Sequence, residues 1–369
     1  VGGKVLNRKD VKEGREQGAA GHGHQPGPLS DVASVERLEV EPGRRFYSAT
    51  HDEIASGLTT DIYFVRTMEI LRDLGLDATP VVAEIFTSRE GVMAGNEEAS
   101  NLLAGRGVSL WALPEGERFG PQEVVMRIAG PYQAFGPYET ALLGILASSS
   151  AWATAAAECR EAADPKPFIC FGARHVHPAV APVMERAALV GGAAGASCIL
   201  AAKLAGLDPS GTIPHAAMLI AGDTLVIAEA YDRTMPAEAP RIILVDTFHD
   251  EAEEALRVAR HMGERLTGVR LDTPGERGGV TPDLVREVRA RLDQEGFEHV
   301  KVFVSGGLDP DRIRLLKNAG ADAFGVGSYI SRARPIDMTM DIKEVAGRPI
   351  AKRGRIPGVT QSPRLQRVL

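Results

Sequence analysis

Beyond Pro165 the chain alternates short apolar strands with helices of about ten to fifteen residues, and this pattern constrains its fold most. The strands read RIILVDTF from 241, GVRLDT from 268, VKVFVSGG from 300 and AFGVGSYI from 323. Apolar strands separated by helices form parallel βα units, because each crossover helix covers one face of the sheet. Two of the strands end in glycine-rich turns, Ser305-Gly306-Gly307 and Gly325-Val326-Gly327-Ser328. Such turns put bare backbone N–H groups at a strand's carboxyl end and a helix start. Unpaired donors and the helix dipole favour a phosphate there. Two of them on consecutive strands predict a barrel whose last strands hold a phosphorylated ligand.

A chain of 369 residues has room for one large or two medium domains. Its net charge of −7 argues against a general binder of nucleic acid or of anionic membranes. The three cysteines, Cys159, Cys170 and Cys198, show no CxxC spacing, which speaks against a zinc ribbon and for a reducing, cytoplasmic setting. No signal peptide and no uninterrupted apolar run of membrane-spanning length is legible, so no membrane partner is expected.

Residues 1–45 read as a mobile tail rich in Gly, His and charge, in which His22 and His24 are more simply solvated than metal-bound. Residues 46–165 read as an α+β domain. It has an amphipathic helix over 60–74, strands over 80–86 and 122–128, and a long Ala-rich connector helix over 139–163. Residues 166–335 hold the α/β barrel, and 336–369 return as short strands to the first domain. The fold class expected is therefore α/β: an irregular TIM-like barrel plus an α+β sandwich built from both chain ends. Asp309-Pro310 and Thr281-Pro282 mark helix starts, and Gly320 marks a helix end. Over 250–266 one face is apolar, and Glu253 is expected to pair with Arg257 on the other.

Several side chains can carry chemistry. Asp246 and Asp272 each follow an apolar strand core, where two carboxylates suit a magnesium ion shared with a phosphorylated substrate. The alternative is that each caps the next helix or a turn. Arg174 and Arg270 close strands and can grip a carboxylate or diphosphate, or else form structural ion pairs. Phe171 can stack on a flat aromatic substrate or simply fill core. His215 lies on a Gly/Thr/Pro turn, placed to shuttle a proton, act as a nucleophile, or serve structure alone. His175 and His177 would share a face if their segment were a strand, with no third metal ligand near in sequence.

Taken together, these segments resemble the nicotinate phosphoribosyltransferases, of the type II phosphoribosyltransferase fold shared with nicotinamide and quinolinate phosphoribosyltransferases. The resemblance runs from about Thr59 to Arg355. It rests on Thr60-Asp61-Ile62-Tyr63, Glu139-Thr140, Phe171-Gly172-Ala173-Arg174, Gly211 to His215, Val269 to Thr273, the two glycine turns and Lys352, in that order. Three positions depart from the family pattern. The usual D-S-G-D is Asp272-Thr273-Pro274-Gly275-Glu276, the usual basic residue after F-G-x-R is His175, and the usual alanine before the histidine is Pro214.

The resemblance implies transfer of phosphoribose from phosphoribosyl pyrophosphate to nicotinate, with ATP hydrolysis and magnesium, in NAD biosynthesis. It also implies a homodimer or larger homo-oligomer with shared sites. Tyr63, from a partner subunit, and Phe171 would sandwich the pyridine ring. Arg174 and Arg270 would hold the substrate carboxylate and the ribose or diphosphate oxygens. Asp246 and Asp272 would face ribose hydroxyls and magnesium. Thr212 and Thr273 would contact substrate, and Ser305, Gly306, Gly307, Gly325, Gly327 and Ser328 would cradle the 5′-phosphate. His215 matches the histidine that the family phosphorylates with ATP. Ser197 stands where nicotinamide enzymes look to carry Asp, which favours an acid substrate. The alternatives are a quinolinate or nicotinamide enzyme, or a non-catalytic phosphoribosyl-binding protein.

Overall fold

The computed structural model describes residue 29 and residues 31–369, so His22 and His24 lie outside the described residues. The N-terminal part supplies β1 (Pro80–Thr87), β2 (Gly91–Val92), β3 (Ser109–Ala112), β4 (Arg118–Phe119) and β5 (Val124–Pro131). Six parallel strands follow, β6 (Phe168–Cys170), β7 (Gly195–Ala196), β8 (Ile242–Leu244), β9 (Gly268–Leu271), β10 (Lys301–Ser305) and β11 (Ala323–Val326). The chain ends in β12 (Met338–Val345), β13 (Arg348–Pro349) and β14 (Gln366–Arg367).

The first sheet is antiparallel in the order β13-β12-β1-β5-β3-β14, so both chain ends build it. Ile85 on β1 lies opposite Met126 on β5, and both are fully buried. The strand expected over 122–128 starts two residues later, because Gln122 turns with φ 62 and donates its N–H to Thr87 O at 2.8 Å.

The second sheet is parallel in the order β7-β6-β11-β10-β9-β8. Of the irregular TIM-like barrel expected, the structure shows not a closed ring of strands but the parallel sheet with its helices. β7 and β8 are its edges, and among the described residues no strand ladder joins them. The chain between them folds instead as the helices Ile199–Leu204, His215–Ala221 and Thr224–Thr234. Val269, Leu271, Val302, Val304 and Phe324 from its middle strands fill one core with Ala255, Ala259 and Met262 of the helix Glu251–Met262. On that helix Arg257 pairs with Glu254 at 2.7 Å and Asp223 at 2.6 Å, not with Glu253, because Asp223 caps the preceding helix within its reach.

The helix Glu139–Ala163 joins the two bodies. Leu142, Leu146 and Ala151 belong to the core of the first sheet; Ala155, Ala156, Cys159, Ala162 and Ala163 belong to the core of the second. The continuous helical stretch Tyr132–Ala163 is long and apolar enough to cross a membrane by length and composition, though polar residues interrupt it, and half of its most apolar part is buried inside the protein. Within the segment expected as a mobile tail, Val32–Glu36 is a helix capped by Asp31, and Val32 N donates to Glu69 at 3.1 Å.

Candidate active site

A cavity of about 390 Å³ opens where the carboxyl ends of β6, β9, β10 and β11 meet. Parallel register explains the gathering. Val302 lies beside Val269, and Ser305 beside Gly325, so the residues after each strand emerge at one rim. Phe171, Arg174, His175, Ser197, Thr212, His215, Arg270, Asp272, Ser305, Gly306, Gly307, Gly325, Gly327 and Ser328 all line it. Both glycine turns therefore face one space, each beside a helix start, at Pro310 and at Ser328.

The floor is a tight hydrogen-bonded cluster. Arg270 donates to Asp272 at 2.7 Å, to Thr212 at 2.7 Å and to Ser305 at 3.0 Å. Ser305 donates in turn to the other oxygen of Asp272 at 2.9 Å. Gly306 sits at φ 93 with Asp272 Oδ1 only 3.0 Å from where a Cβ would stand, so a side chain there would be both strained and crowded. Over the second turn lies Phe171. A Cβ on Gly325 would stand 2.4 Å from its ring, and the Arg270 guanidinium is 5.7 Å from the ring centroid.

His215 is the first residue of the helix His215–Ala221, with Pro214 before it. Its Nε2 lies 3.2 Å from Asp246 Oδ1. The Asp246 side chain is fully buried behind the histidine, and its second oxygen accepts the backbone N–H of Asp272 at 3.1 Å. Burial raises its carboxyl above the usual carboxylate range, against the pull of His215 and with a push from Asp272. Neither aspartate caps a helix; Asp250 and Thr281 do so instead.

Several expected roles are redistributed. Asp246 does not line the cavity and reaches it through two lining residues, His215 and the backbone N–H of Asp272. Thr273 is buried and donates to Glu251 at 2.8 Å, away from the cavity, because the chain turns at Pro274. Arg174 and His175 lie on a single helical turn, Ala173–His175, after β6, and His177 accepts from Ala179 N in the next loop, so the two histidines share no strand face. Burial, then the charges of Arg174 and Arg332, lower the pKa of His175, so it adds little positive charge. Tyr63 is 54% exposed on the helix Ile62–Asp73 and does not line the cavity.

A magnesium ion at the cavity would need oxygen donors, and the two aspartates are the candidates. Among the described residues no three His, Cys, Asp or Glu side chains gather. Both oxygens of each aspartate are already engaged, by Arg270 and Ser305 at Asp272 and by His215 and the Asp272 N–H at Asp246; only Asp272 faces the cavity, where a carboxylate oxygen keeps a second lone pair. The set fits an ion that arrives with its phosphates and gains one protein carboxylate, rather than one caged by protein alone.

One residue of the site was not legible. Glu185, fully buried on the helix Ala181–Val190, binds the chain beneath Phe171 and beside Ser197. In the sequence it carries no motif, because its partners Gly172, Ala173, Ser197 and Cys198 reach it only through packing.

Comparison with known proteins shows the family. The quinolinate phosphoribosyl transferase N-terminal domain matches residues 61–150, and the C-terminal domain of the same family matches 152–341. A solved structure, nicotinate-nucleotide pyrophosphorylase from Pyrococcus furiosus, superposes with a TM-score of 0.82 at 46% identity, covering 86% of this chain and 82% of that one. A nicotinate phosphoribosyltransferase of Mycobacterium tuberculosis is 34% identical over 228 residues, 60% of this chain and 48% of the relative. The chain thus spans about half the length of such curated relatives. A probable carboxylating nicotinate-nucleotide pyrophosphorylase of Methanothermobacter thermautotrophicus is 24% identical over 300 residues, 79% of this chain and 98% of that one. With both domain models matched in order over most of its length, the chain belongs to the quinolinate phosphoribosyl transferase family, the type II phosphoribosyltransferases.

Proposed function

We propose that the protein is a nicotinate phosphoribosyltransferase assisted by ATP. The observation that carries this reading is the pair formed by His215 at the cavity rim and the buried Asp246 behind it. An aspartate accepting from Nε2–H fixes the imidazole tautomer and leaves the Nδ1 lone pair free, as a phosphoryl acceptor requires. A quinolinate enzyme has no such need. Charge supports the same choice. Arg270 is already matched by Asp272, and Arg174 has no ion-pair partner among the described residues. One open guanidinium suits one carboxylate, whereas quinolinate brings two. The second reading, carboxylating transfer to quinolinate, draws on the Pyrococcus and Methanothermobacter relatives.

In the transfer step the ring nitrogen of nicotinate gives its lone pair to C1 of phosphoribosyl pyrophosphate. The C1–O bond breaks, and the diphosphate leaves with the electron pair. No proton moves, so positioning and charge govern the rate. Phe171 holds the ring, Arg174 its carboxylate, and the two glycine turns hold the 5′-phosphate. Asp272 and Arg270 flank the sugar. Magnesium, held by Asp272 and the diphosphate, would offset charge on the leaving group. ATP would phosphorylate His215, and hydrolysis of that bond would drive product formation.

The test is pyrophosphate release with nicotinate, quinolinate and nicotinamide, each with and without ATP. Nicotinate should be the acid turned over fastest, with ATP raising the rate, and His215→Ala should abolish the ATP effect. Release of carbon dioxide from quinolinate at a rate above that with nicotinate would replace this reading with the second one.

A further inference from the structure

Glu185 carries an inference that builds on the pyridine-acid reading of the cavity. Its side chain is fully buried, on a helix that otherwise buries Ala181, Met184, Ala187 and Ala188. A carboxylate in such a place is tolerated only when donors surround it. Oε1 accepts from Gly172 N at 3.0 Å, Ala173 N at 3.0 Å and the Ser197 hydroxyl at 2.8 Å; Oε2 accepts from Cys198 N at 2.6 Å. These donors come from two separate segments. The first is the turn between Phe171 and Arg174, after β6. The second is the turn after β7. Both are walls of the cavity, through Phe171, Arg174 and Ser197. Packing leaves the first turn little slack, since a Cβ on Gly172 would stand 2.5 Å from Met184.

We infer that Glu185 is the positioning residue that clamps these two walls, setting the ring-stacking phenylalanine, the free arginine and Ser197 at one spacing. It touches no substrate. The 5′-phosphate turns lie on β10 and β11 and receive no bond from it. Its effect should therefore fall first on the pyridine acid, since the β11 turn meets the clamped wall at second hand, through Phe171, whose N–H donates to Val326 O at 2.7 Å. The clamp also spends the Ser197 proton, so this hydroxyl offers lone pairs to the cavity and leaves an acid's carboxylate to Arg174.

Glu185→Gln tests this at constant size. The remaining carbonyl oxygen can serve Gly172, Ala173 and Ser197, but the new NH₂ then faces Cys198 N–H, donor against donor. The KM for the pyridine acid should rise about tenfold, as for one lost charge-assisted hydrogen bond, while that for phosphoribosyl pyrophosphate stays within about twofold. Ser197→Ala should raise the same KM, and the double variant should fall short of the product of the two effects, since the residues share a bond. Equal rises in both KM values, a fall in kcat alone, or multiplicative effects would overturn the inference. Should Glu185→Gln fail to fold by circular dichroism, Ser197→Ala decides: an unchanged KM for the acid overturns the clamp. Whichever acid the wild type turns over serves for these measurements, and where it turns over none, the calorimetric Kd of nicotinate replaces KM. Loss of the nicotinate reading and loss of the clamp are thus separate results.

Discussion

At the scale of single residues, the two glycine turns bear on the cavity for different reasons. Gly306 needs its positive φ and the space beside Asp272. Gly325 needs neither a positive φ nor a turn; it is flat because Phe171 lies on it, 2.4 Å from an imagined Cβ. Gly325→Ala should therefore push the half-buried ring off its seat. A rise of about two- to tenfold in KM for the pyridine acid is expected, the range of one aromatic contact, with the denaturation midpoint nearly unmoved. Steady-state kinetics beside a urea melt separates the two. Gly, Arg and Asp at strand ends were legible because their chemistry is local to each strand's last turn. Thr273 and Glu185 were not, since their partners, Glu251 and the residues 172, 173, 197 and 198, are set by packing. Asp246 was legible as an acid, but whether it meets the ligand or the histidine depends on how the helix His215–Ala221 docks.

At the scale of elements, periodicity made the long elements readable, Glu139–Ala163 at both of its ends, whereas two-residue strands such as Gly195–Ala196 are too short to show a period. Closure of the sheet was not readable, because alternation shows parallel strands and says nothing of whether the first meets the last. The joining helix is Ala-rich because its neighbours come very close. A Cβ on Gly191 would stand 2.2 Å from the Ala153 carbonyl oxygen and 2.7 Å from Ala156 Cβ. Backbone cannot yield as a side-chain tip can, so Gly191→Ala should cost about 1–3 kcal/mol, read as a lower urea midpoint at unchanged slope. The start of the same helix carries a pH effect. Burial, with Asp341 adding to it and Lys352 opposing, raises Glu139 to about 7. A carboxyl whose folded pKa exceeds its unfolded value stabilises the fold below the unfolded value. That contribution is lost as pH rises from the ordinary carboxylate range through about 7. Glu139→Gln should gain on the wild type over this window, by at most about 3 kcal/mol before solvent screening. Urea melts at pH 5 and pH 8 check it: a gap that does not widen towards pH 8 rules the effect out.

At the scale of the whole molecule, the family motifs divide into two groups. One group lines the cavity. The other gathers on the first domain: Thr140 donates to Asp61 at 3.1 Å, the charges of Asp341 and Lys352 bear on Glu139, and Lys352 binds Asp341 at 2.9 Å. Tyr63 is exposed beside them, tilted on Phe64 at 4.3 Å between ring centroids. None of this second group lines the cavity of its own chain. Order along the sequence shows which motifs exist, but not whose cavity each one serves. A two-fold dimer in which this patch faces the partner's cavity would bring the groups together, with Tyr63 opposite the partner's ring-binding phenylalanine. Two variants test it, Tyr63→Ala on the patch and Asp272→Ala in the cavity, each expected to be nearly inactive alone. Refolded together in equal amounts, half of the dimers are mixed, and each mixed dimer holds one site with neither substitution. About a quarter of wild-type activity should return. Sites complete within one chain predict no recovery at any mixing ratio, and the activity of the mixture, read against its dimer content by light scattering, decides between them.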